Sequence, residues 1–410
     1  MRATAVMKEV IGVVVVAGMA AAGGMAHAAD DVPIGVVTPL TGGGGQFGPD
    51  MAKAMQLAAD EVNKLGPPMG RKLRLFVEDG ETNPDAAVRA TQKLIGVNQV
   101  KAIIGTWSSA VTLAVAPITL QAGIVQMNTS GSDQINKLKR NGLVWRFQPE
   151  ARWTGTAVAE AFKKEGWKTA ASAARDEPSG VTTVEDFNKV HTANGGKVLA
   201  TLKYTPGQPS YVDVVRKLVA DKPQAVFTST YAPELTVLVK DAQTMGADVN
   251  WVAPGWAVTK GFISAVGKKA AEGVWAIDSA PNIGSRGFEK FMKDFTSATR
   301  RTLLPSDTYV FSSYDMVVVL SLAMTDCKCD GGPALSASIL KVTNPPGKEV
   351  FDYAEGIKAL AEGSDINYQG ASSNLDFNAE GNQMPLFGIY RVEDGAVKLQ
   401  TTVKVSGETK

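Results

Sequence analysis

Residues 102–127 read AIIGTWSSAVTLAVAPITLQAGIVQM and contain a complete strand–helix–strand unit. An apolar strand at Ala102–Gly105 is followed by a helix that opens at Ser108-Ser109, and a second apolar strand follows at Ile124–Met127. Short β-rich runs alternate with amphipathic stretches along the whole chain, which predicts an α/β fold with parallel sheets and helices on both faces. The predicted strands are Ile34–Thr38, Leu73–Glu78, Ala102–Gly105, Ile124–Met127, Thr169–Ala174, Val198–Tyr204, Ala225–Ser229, Trp251–Ala253 and Val274–Asp278.

A weak internal repeat divides this alternation in two. The strand that ends at Gly105 is followed 18 residues later by Gly123 and a new strand, and the run that ends at Thr228 is followed 18 residues later by Gly246. This spacing indicates two similar α/β halves, but the ordinary length of a βαβ unit would also produce it by coincidence. Both interpretations stay open at this point.

The composition of the 410-residue chain excludes several classes of protein. Its 42 basic and 41 acidic side chains lack the basic excess that nucleic acid or an anionic membrane surface attracts. Two histidines and two cysteines are too few for a histidine-based metal triad or a zinc ribbon. One residue separates Cys327 from Cys329, which predicts either a strained disulfide or two loop cysteines without a function. We expect no nucleic-acid partner, no metal and no cofactor.

Residues 1–28 are typical of a secretory signal peptide. Arg2 and Lys8 precede an apolar run from Val10 to Ala22, and Ala26-His27-Ala28 provides a small-x-small cleavage pattern. The run is shorter than the roughly 20 residues of a membrane-spanning helix, so an N-terminal membrane anchor is the weaker alternative. The pattern predicts export of a soluble protein, most simply to a bacterial periplasm.

The segment Gly43-x-Gly45-x-x-Gly48 matches the outline of a dinucleotide-binding fingerprint. Residues 38–41 separate it from the preceding strand, however, and Pro49 predicts that the helix begins after the last glycine. We interpret the segment as a glycine-rich loop that brings its backbone and Phe47 to the rim of a cleft. The stretch Gly105–Ser109 lacks the second glycine of a nucleophile elbow, so no enzyme signature is recognised.

Ligands of open α/β sheets bind outside the carboxyl ends of the strands, where helix N-termini point N–H donors at anions. The loops at 106–109 and 128–132 are rich in short hydroxyl and amide side chains, which suit either a carboxylate ligand or the capping of a helix. Large amphipathic aromatic side chains follow the later strands. They suit contacts with a ligand, and a structural role in the core is the alternative. The candidate ligand-binding residues are Phe47, Trp107, Ser108, Ser109, Ser130, Ser132, Trp153, Ser179, Tyr231 and Trp256, and no catalytic residue is assigned.

At these loops the sequence resembles the leucine/isoleucine/valine-binding family of periplasmic substrate-binding proteins. The similarity extends over nearly the whole mature chain. It is carried by Ile34–Gly42 with Phe47-Gly48, Val77–Asp79 with Asn83-Pro84, Gly105–Ser109, Gly123–Val125, Tyr231–Glu234, Ser313–Asp315, Tyr368–Gly370, Asp376–Asn378 and Glu380–Asn382.

The resemblance implies a type I periplasmic-binding fold, in which two Rossmann-like lobes with parallel sheets are joined by three hinge crossovers. We place the crossovers near residues 147–148, 277–278 and 386–387. Lobe 1 would then comprise residues 29–147 and 279–386, and lobe 2 would comprise residues 148–278 and 387–410.

The resemblance also implies roles for several residues. Family members bind the carboxylate of an amino acid through a serine that matches Ser108 and a hydroxyl that matches Ser132, together with backbone donors. They contact the ligand side chain from positions that match Phe47, Trp107 and Tyr231. The first lobe is therefore expected to hold the carboxylate end of the ligand.

Two positions depart from the family pattern. The ammonium-binding glutamate of the family falls at Gly255, and its second-lobe tyrosine falls at Ser179. A buried ammonium without an anionic partner costs several kcal/mol, so the sequence puts ordinary aliphatic L-amino acids in doubt. The added bulk of Trp107, Trp153 and Trp256 predicts an aromatic or otherwise flat ligand.

The implied function is that of a substrate-binding protein of an ABC importer. Such a protein captures an amino acid, or a related small carboxylate or amide, by hinge closure, and presents it to an ABC permease in the inner membrane. We expect it to act as a monomer and not as an enzyme. The alternatives are a ligand-sensing receptor or regulator on the same fold and, less favoured, a secreted α/β enzyme.

Overall fold

A computed structural model of the protein describes residues 31–383 and 386–405. The predicted signal peptide at 1–28 lies outside these residues. In chain order, the strands β1 to β14 are Val32–Thr38, Leu73–Asp79, Ala102–Thr106, Val125–Asn128, Val144–Arg146, Thr169–Arg175, Lys197–Tyr204, Ala225–Ser229, Trp251–Pro254, Trp275–Ser279, Lys348–Val350, Ile366–Tyr368, Leu386–Glu393 and Ala396–Lys404. The helices α1 to α13 are Gly48–Leu65, Pro84–Gly96, Ser109–Ala122, Ala151–Lys164, Pro178–Ala193, Val212–Val219, Ala232–Thr244, Lys260–Val266, Lys268–Ala271, Arg286–Thr299, Thr308–Cys327, Gly332–Thr343 and Tyr353–Ala361.

The first sheet is fully parallel and has the strand order β2-β1-β3-β4-β5. Its central strands β1 and β3 are rich in valine and isoleucine and buried along nearly their whole length, as strands with helices on both faces are. Helices α1 and α10 to α13 share one apolar core with this sheet. We call the first sheet and its helices lobe 1.

The second sheet has the strand order β14-β13-β10-β9-β8-β6-β7. Strands β6 to β10 are parallel, whereas β13 and β14 form an antiparallel pair that joins the edge at β10. Two apolar cores cover its two faces, one with α6 to α9 and one with α4 and α5. We call this sheet and its helices lobe 2.

The chain passes between the lobes after β5, after β10 and again before β13. The predicted fold class, with two lobes joined by three crossovers, is confirmed. Each of the nine predicted strands lies within two residues of an observed strand. Among the described residues, β5, the short pair β11–β12 and the pair β13–β14 were not predicted.

Helix α11 is the centre of the lobe 1 core. Every residue from Thr308 to Met324 is buried. By length and composition alone it is apolar enough to cross a membrane, but 83% of its most apolar window is buried within the protein. Its carboxylate Asp315 accepts hydrogen bonds from the Tyr368 hydroxyl at 2.8 Å and the Ser372 hydroxyl at 2.6 Å, which ties the segment after β12 to the helix. A disulfide joins Cys327, the last residue of the helix, to Cys329.

Candidate functional site: a cavity between the lobes

Loops at the carboxyl ends of strands from both sheets surround one cavity of about 40 Å³. This is the position in which open α/β sheets bind ligands. Residues of the β3–α3 loop and of the loop after β4 line it from lobe 1, and residues at or just after the ends of β6, β8, β9 and β10 line it from lobe 2. Of the ten candidate residues, those in its lining are Trp107, Ser108, Ser109, Ser179, Tyr231 and Trp256.

The turn from β3 into α3 forms the lobe 1 side of the cavity. Gly105 has a φ of +91°, and a Cβ there would lie 2.7 Å from the Cε of Met55, so only glycine lets β3 approach α1 this closely. Ser108 is the N-cap residue of α3, yet its hydroxyl accepts no hydrogen bond from the helix. The hydroxyl of Ser108 and the N–H groups of the first helical turn therefore face the cavity with the chemistry of an anion site.

Thr129 contributes a second polar group on this side. It follows β4, is 4% exposed and lines the cavity. Its Oγ1 is buried and forms no hydrogen bond within the described part of the chain. An unpaired buried hydroxyl costs about 1–3 kcal/mol, so a ligand that supplied the missing partner would recover this free energy.

Ser130 and Ser132 lie behind the cavity and are not part of its lining. The Ser130 hydroxyl donates to the carbonyl oxygen of Trp107 at 3.0 Å, and the Ser132 hydroxyl accepts from the N–H of Gln134 at 3.2 Å. The N–H of Ser132 also donates to the Oγ of Ser109 at 3.1 Å. Both serines therefore fix the loops that carry Trp107 and Ser109, and we assign them to support of the site.

A cluster of aromatic rings fills one end of the cavity and bridges the lobes. The ring centroid of Trp107 lies 5.6 Å from that of Phe47, 5.0 Å from that of Tyr231 and 5.7 Å from that of Tyr309. Trp256 lies 6.4 Å from Tyr309, and its indole N–H donates to the carbonyl oxygen of Thr230 at 3.0 Å. Edge and tilted contacts at these distances hold each ring in place.

The glycine-rich loop packs against this aromatic cluster. A Cβ at Gly44 would lie 2.6 Å from the Trp107 ring, and one at Gly43 would lie 3.1 Å from the Tyr231 ring. Phe47 lines a neighbouring opening between the lobes, together with Gly255, and contacts the Trp107 and Tyr309 rings of the cavity lining. The loop therefore positions the rings and does not itself line the cavity.

Ser179 and Trp153 have different positions on the lobe 2 side. Ser179 lies in the first turn of α5 and lines the cavity. Trp153 lies in the first turn of α4, packs against the core that α4 shares with α5, and has the guanidinium of Arg152 over its ring at 4.8 Å. Trp153 is outside the lining, so we leave it out of the site.

A buried carboxylate, Glu177, faces the cavity beside Ser179. Its Oε1 accepts from the N–H of Gly180 at 3.0 Å, which caps α5. Burial raises the pKa of Glu177, and the nearby charge of Arg175 opposes this rise. Arg175 also lies 4.2 Å from the centroid of the Tyr231 ring and forms an ion pair with Glu234, so this wall contains two carboxylates and one guanidinium.

A second buried carboxylate, Asp278, is the next-to-last residue of β10 and lines the cavity. It is 2% exposed, and its Oδ1 accepts from the N–H of Ser279 at 2.7 Å. Burial raises the pKa of Asp278 to about 7, and the hydrogen bonds from Ser279 oppose this rise. A Cβ at Gly255 would lie 2.6 Å from its Oδ2, so glycine at this position leaves room for the carboxylate.

Two glutamines connect the lobes around the cavity. Gln148 follows the first crossover, and its Oε1 accepts from the Ser279 hydroxyl, at the second crossover, at 2.7 Å. Gln46 of lobe 1 donates to the carbonyl oxygen of Trp256 at 3.4 Å and accepts from the Thr259 hydroxyl at 2.9 Å. The lobes are therefore in contact across the cleft in this structure.

Sequence reasoning did not select ten of the sixteen residues that line the cavity, and five of these ten are Thr129, Gln148, Glu177, Asp278 and Tyr309. Thr129, Gln148 and Glu177 stood in loops that it had singled out, and Asp278 was used only to place a crossover. For the first three, position just after a strand was the available signal, and for Asp278 it was position near the end of one. Tyr309 lies inside an apolar helix and gave no such signal. Within the described residues, no group of three histidine, cysteine, aspartate or glutamate side chains is placed to hold a metal ion.

The sequence matches the family model described as "Periplasmic binding protein" over residues 31–351, which is more than half of the chain. A similar curated protein is the Leu/Ile/Val-binding protein BraC3 of Rhizobium johnstonii, with 24% identity over 354 residues, 85% of this chain and 92% of that protein.

Two solved structures share the fold. A leucine-binding protein, LivK, of Thermotoga maritima superposes with a TM-score of 0.79 at 21% identity and covers 91% of this chain and 99% of its own. An ABC-transporter solute-binding protein of R. palustris in complex with benzoate superposes with a TM-score of 0.72 at 19% identity and covers 91% of this chain and 96% of its own. The sequence match, the two-lobed fold and the cavity between the lobes agree, and the chain belongs to the periplasmic binding protein family.

Proposed function

We propose that this protein captures a small carboxylate-bearing solute, an amino acid or a related acid or amide, and presents it to an ABC permease. Membership of the periplasmic binding protein family supports solute binding over catalysis. The similar proteins are named for leucine, isoleucine and valine, and one solved structure with the same fold holds benzoate. All of these ligands carry a carboxylate, which is the group that the lobe 1 side of the cavity suits.

The polar surface at the start of α3 is the observation that carries this proposal. The Ser108 hydroxyl is not used to cap the helix, Ser109 lies in the first turn, and the Oγ1 of Thr129 is buried without a partner. Hydroxyl groups and free N–H groups at a helix N-terminus bind anions through charge-assisted hydrogen bonds. These observations support the proposal that the ligand carboxylate lies against these three residues.

Closure of the two lobes is the proposed means of capture. The lobes are assigned as residues 29–147 with 279–386 and residues 148–278 with 387–410, which the assignment of strands to two sheets supports. A ligand that docks on lobe 1 is covered by Tyr231 and Trp256 of lobe 2 when the hinge closes. The closed form is favoured to the extent that the ligand binds it more tightly than the open form.

The proposed setting is the periplasm, and the proposed partner is an inner-membrane ABC permease. The family supports this setting, and residues 1–28 have the sequence pattern of a signal peptide. The protein is proposed to act as a monomer, since a permease recognises the closed pair of lobes of a single chain. A sensor on the same fold would present the same closed form to a regulatory partner.

A thermal-shift screen tests the proposal. The purified protein is unfolded and refolded to remove any bound solute, and then mixed with L-amino acids, aromatic acids and small amides. A ligand at 100 times its Kd should stabilise the protein by about 2.7 kcal/mol. Ser108→Ala and Thr129→Val should weaken binding, whereas Ser297→Ala on the exposed face of α10 should not. Unchanged affinity in both cavity variants would contradict the proposed carboxylate site.

A further inference from the structure

A polar network outside the cavity lining joins the two lobes beside the first and third crossovers. Its centre is the carboxylate of Glu150, the N-cap residue of α4, which is 2% exposed. Oε1 accepts from Nδ2 of Asn382, just before the third crossover, at 3.0 Å, and Oε2 accepts from Nδ2 of Asn136, in lobe 1, at 2.9 Å. Oε2 also forms an ion pair with Nε of Arg152, in α4, at 2.8 Å. We call these four residues the Glu150 network.

A second carboxylate, Asp133, lies beside this network without a close partner. It begins the short 3-10 helix Asp133–Lys137 of lobe 1, between β4 and β5. Its Oδ1 is buried and has no hydrogen-bond partner among the described residues, and its Oδ2 lies 4.0 Å from Nε of Arg152. Because Arg152 lies closer to Glu150, its charge is shared mainly with that carboxylate. The charge of Asp133 is therefore poorly compensated at the boundary with lobe 2.

The other charged groups around Asp133 do not restore the balance. The guanidinium of Arg146, at the end of β5, donates to the carbonyl oxygens of Ser132 at 3.1 Å and Gly131 at 3.4 Å. Helices α3 and α5 pack against the segment that carries Asp133. Residues 109–122 of α3 include no titratable side chain, whereas Asp186 of α5 brings a like charge from lobe 2. The remaining titratable groups of α5 are Glu185, Lys189 and His191.

These surroundings change the proton affinity of Asp133. Burial raises the pKa of Asp133 to about 6, the charges of Glu150 and Asp186 add to the rise, and those of Arg146 and Arg152 oppose it. With the lobes in contact, Asp133 therefore retains a proton at a pH at which a solvated aspartate is ionised. Opening of the cleft moves α5 away and returns part of this carboxylate to water, which lowers its pKa. Of the two forms, the one with the higher pKa is favoured as the pH falls.

We propose that Asp133 and the Glu150 network form an acid-sensitive latch between the lobes, in which proton uptake by Asp133 favours the closed form. The inference rests on the closure in the proposed function, but none of the latch residues lines the cavity. An ionised Asp133 opposes the approach of Asp186 as the cleft closes, and a protonated one does not. The protein should therefore close more readily at mildly acidic pH than at neutral pH, whichever solute it holds.

Paramagnetic relaxation enhancement in NMR tests the latch without a ligand. The protein is first unfolded and refolded to remove any bound solute. A spin label is attached at Lys260→Cys, since Lys260 of lobe 2 and Asp50 of lobe 1 line the same opening between the lobes. The native cysteines form a disulfide and do not take the label. Broadening of the amide signals around Asp50 then reports the population of the closed form.

The labelled protein is compared with further variants at a series of pH values from 5 to 7. Asp133→Asn removes the charge and keeps the size of the side chain. Arg152→Gln removes a cation that opposes proton uptake, and Arg152→Lys keeps the charge. Asp85→Asn, which removes an exposed carboxylate from the first turn of α2, is the matched control. Circular dichroism establishes that each variant folds, and Asp133→Ser replaces Asp133→Asn if the latter does not.

We expect acidification from pH 7 to pH 5 to raise the closed population of the labelled protein by up to about 10-fold. This limit follows from a pKa of about 6 in the closed form and about 4 in the open form. Asp133→Asn should lack this rise and should already have a larger closed population at pH 7. Arg152→Gln should move the midpoint of the rise to higher pH, Arg152→Lys should restore it, and Asp85→Asn should change nothing.

Several results would overturn the latch. An equal pH dependence in Asp133→Asn would assign the effect to other carboxylates, such as Glu177 and Asp278 in the cavity. A closed population that falls with the pH, or an unchanged midpoint in Arg152→Gln, would contradict the proposed direction. Absence of broadening in Asp133→Asn at every pH would show that no closed form is released. None of these results bears on capture of a solute, which the thermal-shift screen tests separately.

Discussion

The ring of Trp107 lies directly against the backbone of Gly44. A Cβ at Gly44 would be 2.6 Å from Cε3 of this ring, which is closer than real side-chain contacts. Trp107 in turn contacts Tyr231 of lobe 2, with 5.0 Å between ring centroids. The glycine-rich loop therefore sets the position of a ring that touches both lobes, although the loop does not line the cavity.

Gly44→Ala is expected to weaken ligand binding and to destabilise the protein. The added methyl group must displace Trp107, and such overpacking costs about 1–3 kcal/mol. Calorimetric titration and urea denaturation measure the two effects. Gly96→Ala at the end of α2 is the matched control, since a Cβ there meets no atom within 4 Å. Wild-type affinity and stability in Gly44→Ala would contradict the role of this contact.

Asp278 should make the ligand-free protein less stable as the pH rises. Its pKa is raised from 3.8 to about 7 by burial, so between these values the folded state retains a proton that the unfolded chain has lost. The contribution of this group to the free energy of unfolding is therefore greatest below pH ~4 and decreases towards pH ~7. Asp133 and Asp315, whose pKa values burial raises to about 6, act in the same direction.

Comparison with Asp278→Asn isolates this contribution. The stability of the variant relative to wild type should increase between pH 4 and pH 7 in urea denaturation. Asp307, Tyr309 and Tyr390, which face Asp278, are unchanged in both proteins. Parallel stability curves would contradict the assignment of the raised pKa to Asp278.

The architecture could be predicted because each of its parallel strands has a clear sequence signal. A buried parallel strand such as Ala225–Ser229 is a short apolar run, and the helix after it begins with a proline or a capping residue. The pair β13–β14 has a weaker sequence signal, because β14 is a mostly exposed edge strand with only a few half-buried residues. Edge strands of this kind have little apolar pattern to detect.

From the sequence, the site could be predicted only for residues in the loops that follow strands. The loop positions of Trp107, Ser108 and Tyr231 follow from strand ends, and these residues do line the cavity. The residue beside a buried carboxylate depends on which strands are neighbours in the sheet. The contact between Asp278 and Gly255 could therefore be recognised only from the observed pairing of β9 with β10. Tyr309 lines the cavity from α11, which is distant in sequence from the strand-end loops, and no local sequence pattern indicates that contact.

His191 illustrates how packing overrides a local pattern and leads to a further prediction. Its place near the end of α5 predicts exposure, but it is 2% exposed and stacks on Phe187 with 5.3 Å between ring centroids. Burial lowers the pKa of His191 below its usual 6.5. Its contribution to stability is therefore fully present above pH ~6.5 and is lost as the pH falls below that value, where the unfolded chain binds the proton more readily.

The titration of His191 can be followed directly by NMR. After removal of residues 1–28 it is the one histidine in the sequence, so its ring signals need no further assignment. We expect a midpoint below 6.5 in the folded protein and a normal midpoint in urea. A folded-state midpoint at or above 6.5 would show that the ring is solvated. His191→Phe should remove this part of the acid sensitivity.

Gln46→Ala should lower the affinity for every ligand by the same factor. Gln46 joins the lobes through Trp256 and Thr259 but does not line the cavity, so its loss weakens the closed form and leaves the ligand contacts intact. Two hydrogen bonds of about 0.5–1.5 kcal/mol each correspond to a loss of about 5-fold or more.

Calorimetric titration measures this factor, and small-angle X-ray scattering should show a larger radius of gyration for the variant without ligand. Gln56→Ala is the control, because within the described residues the side chain of Gln56 bonds to Asp60 of its own helix alone, at 2.8 Å. If Gln46→Ala lowered the affinity for some ligands and left the affinity for others unchanged, Gln46 would contact the ligand and the separation between closure and recognition would be wrong.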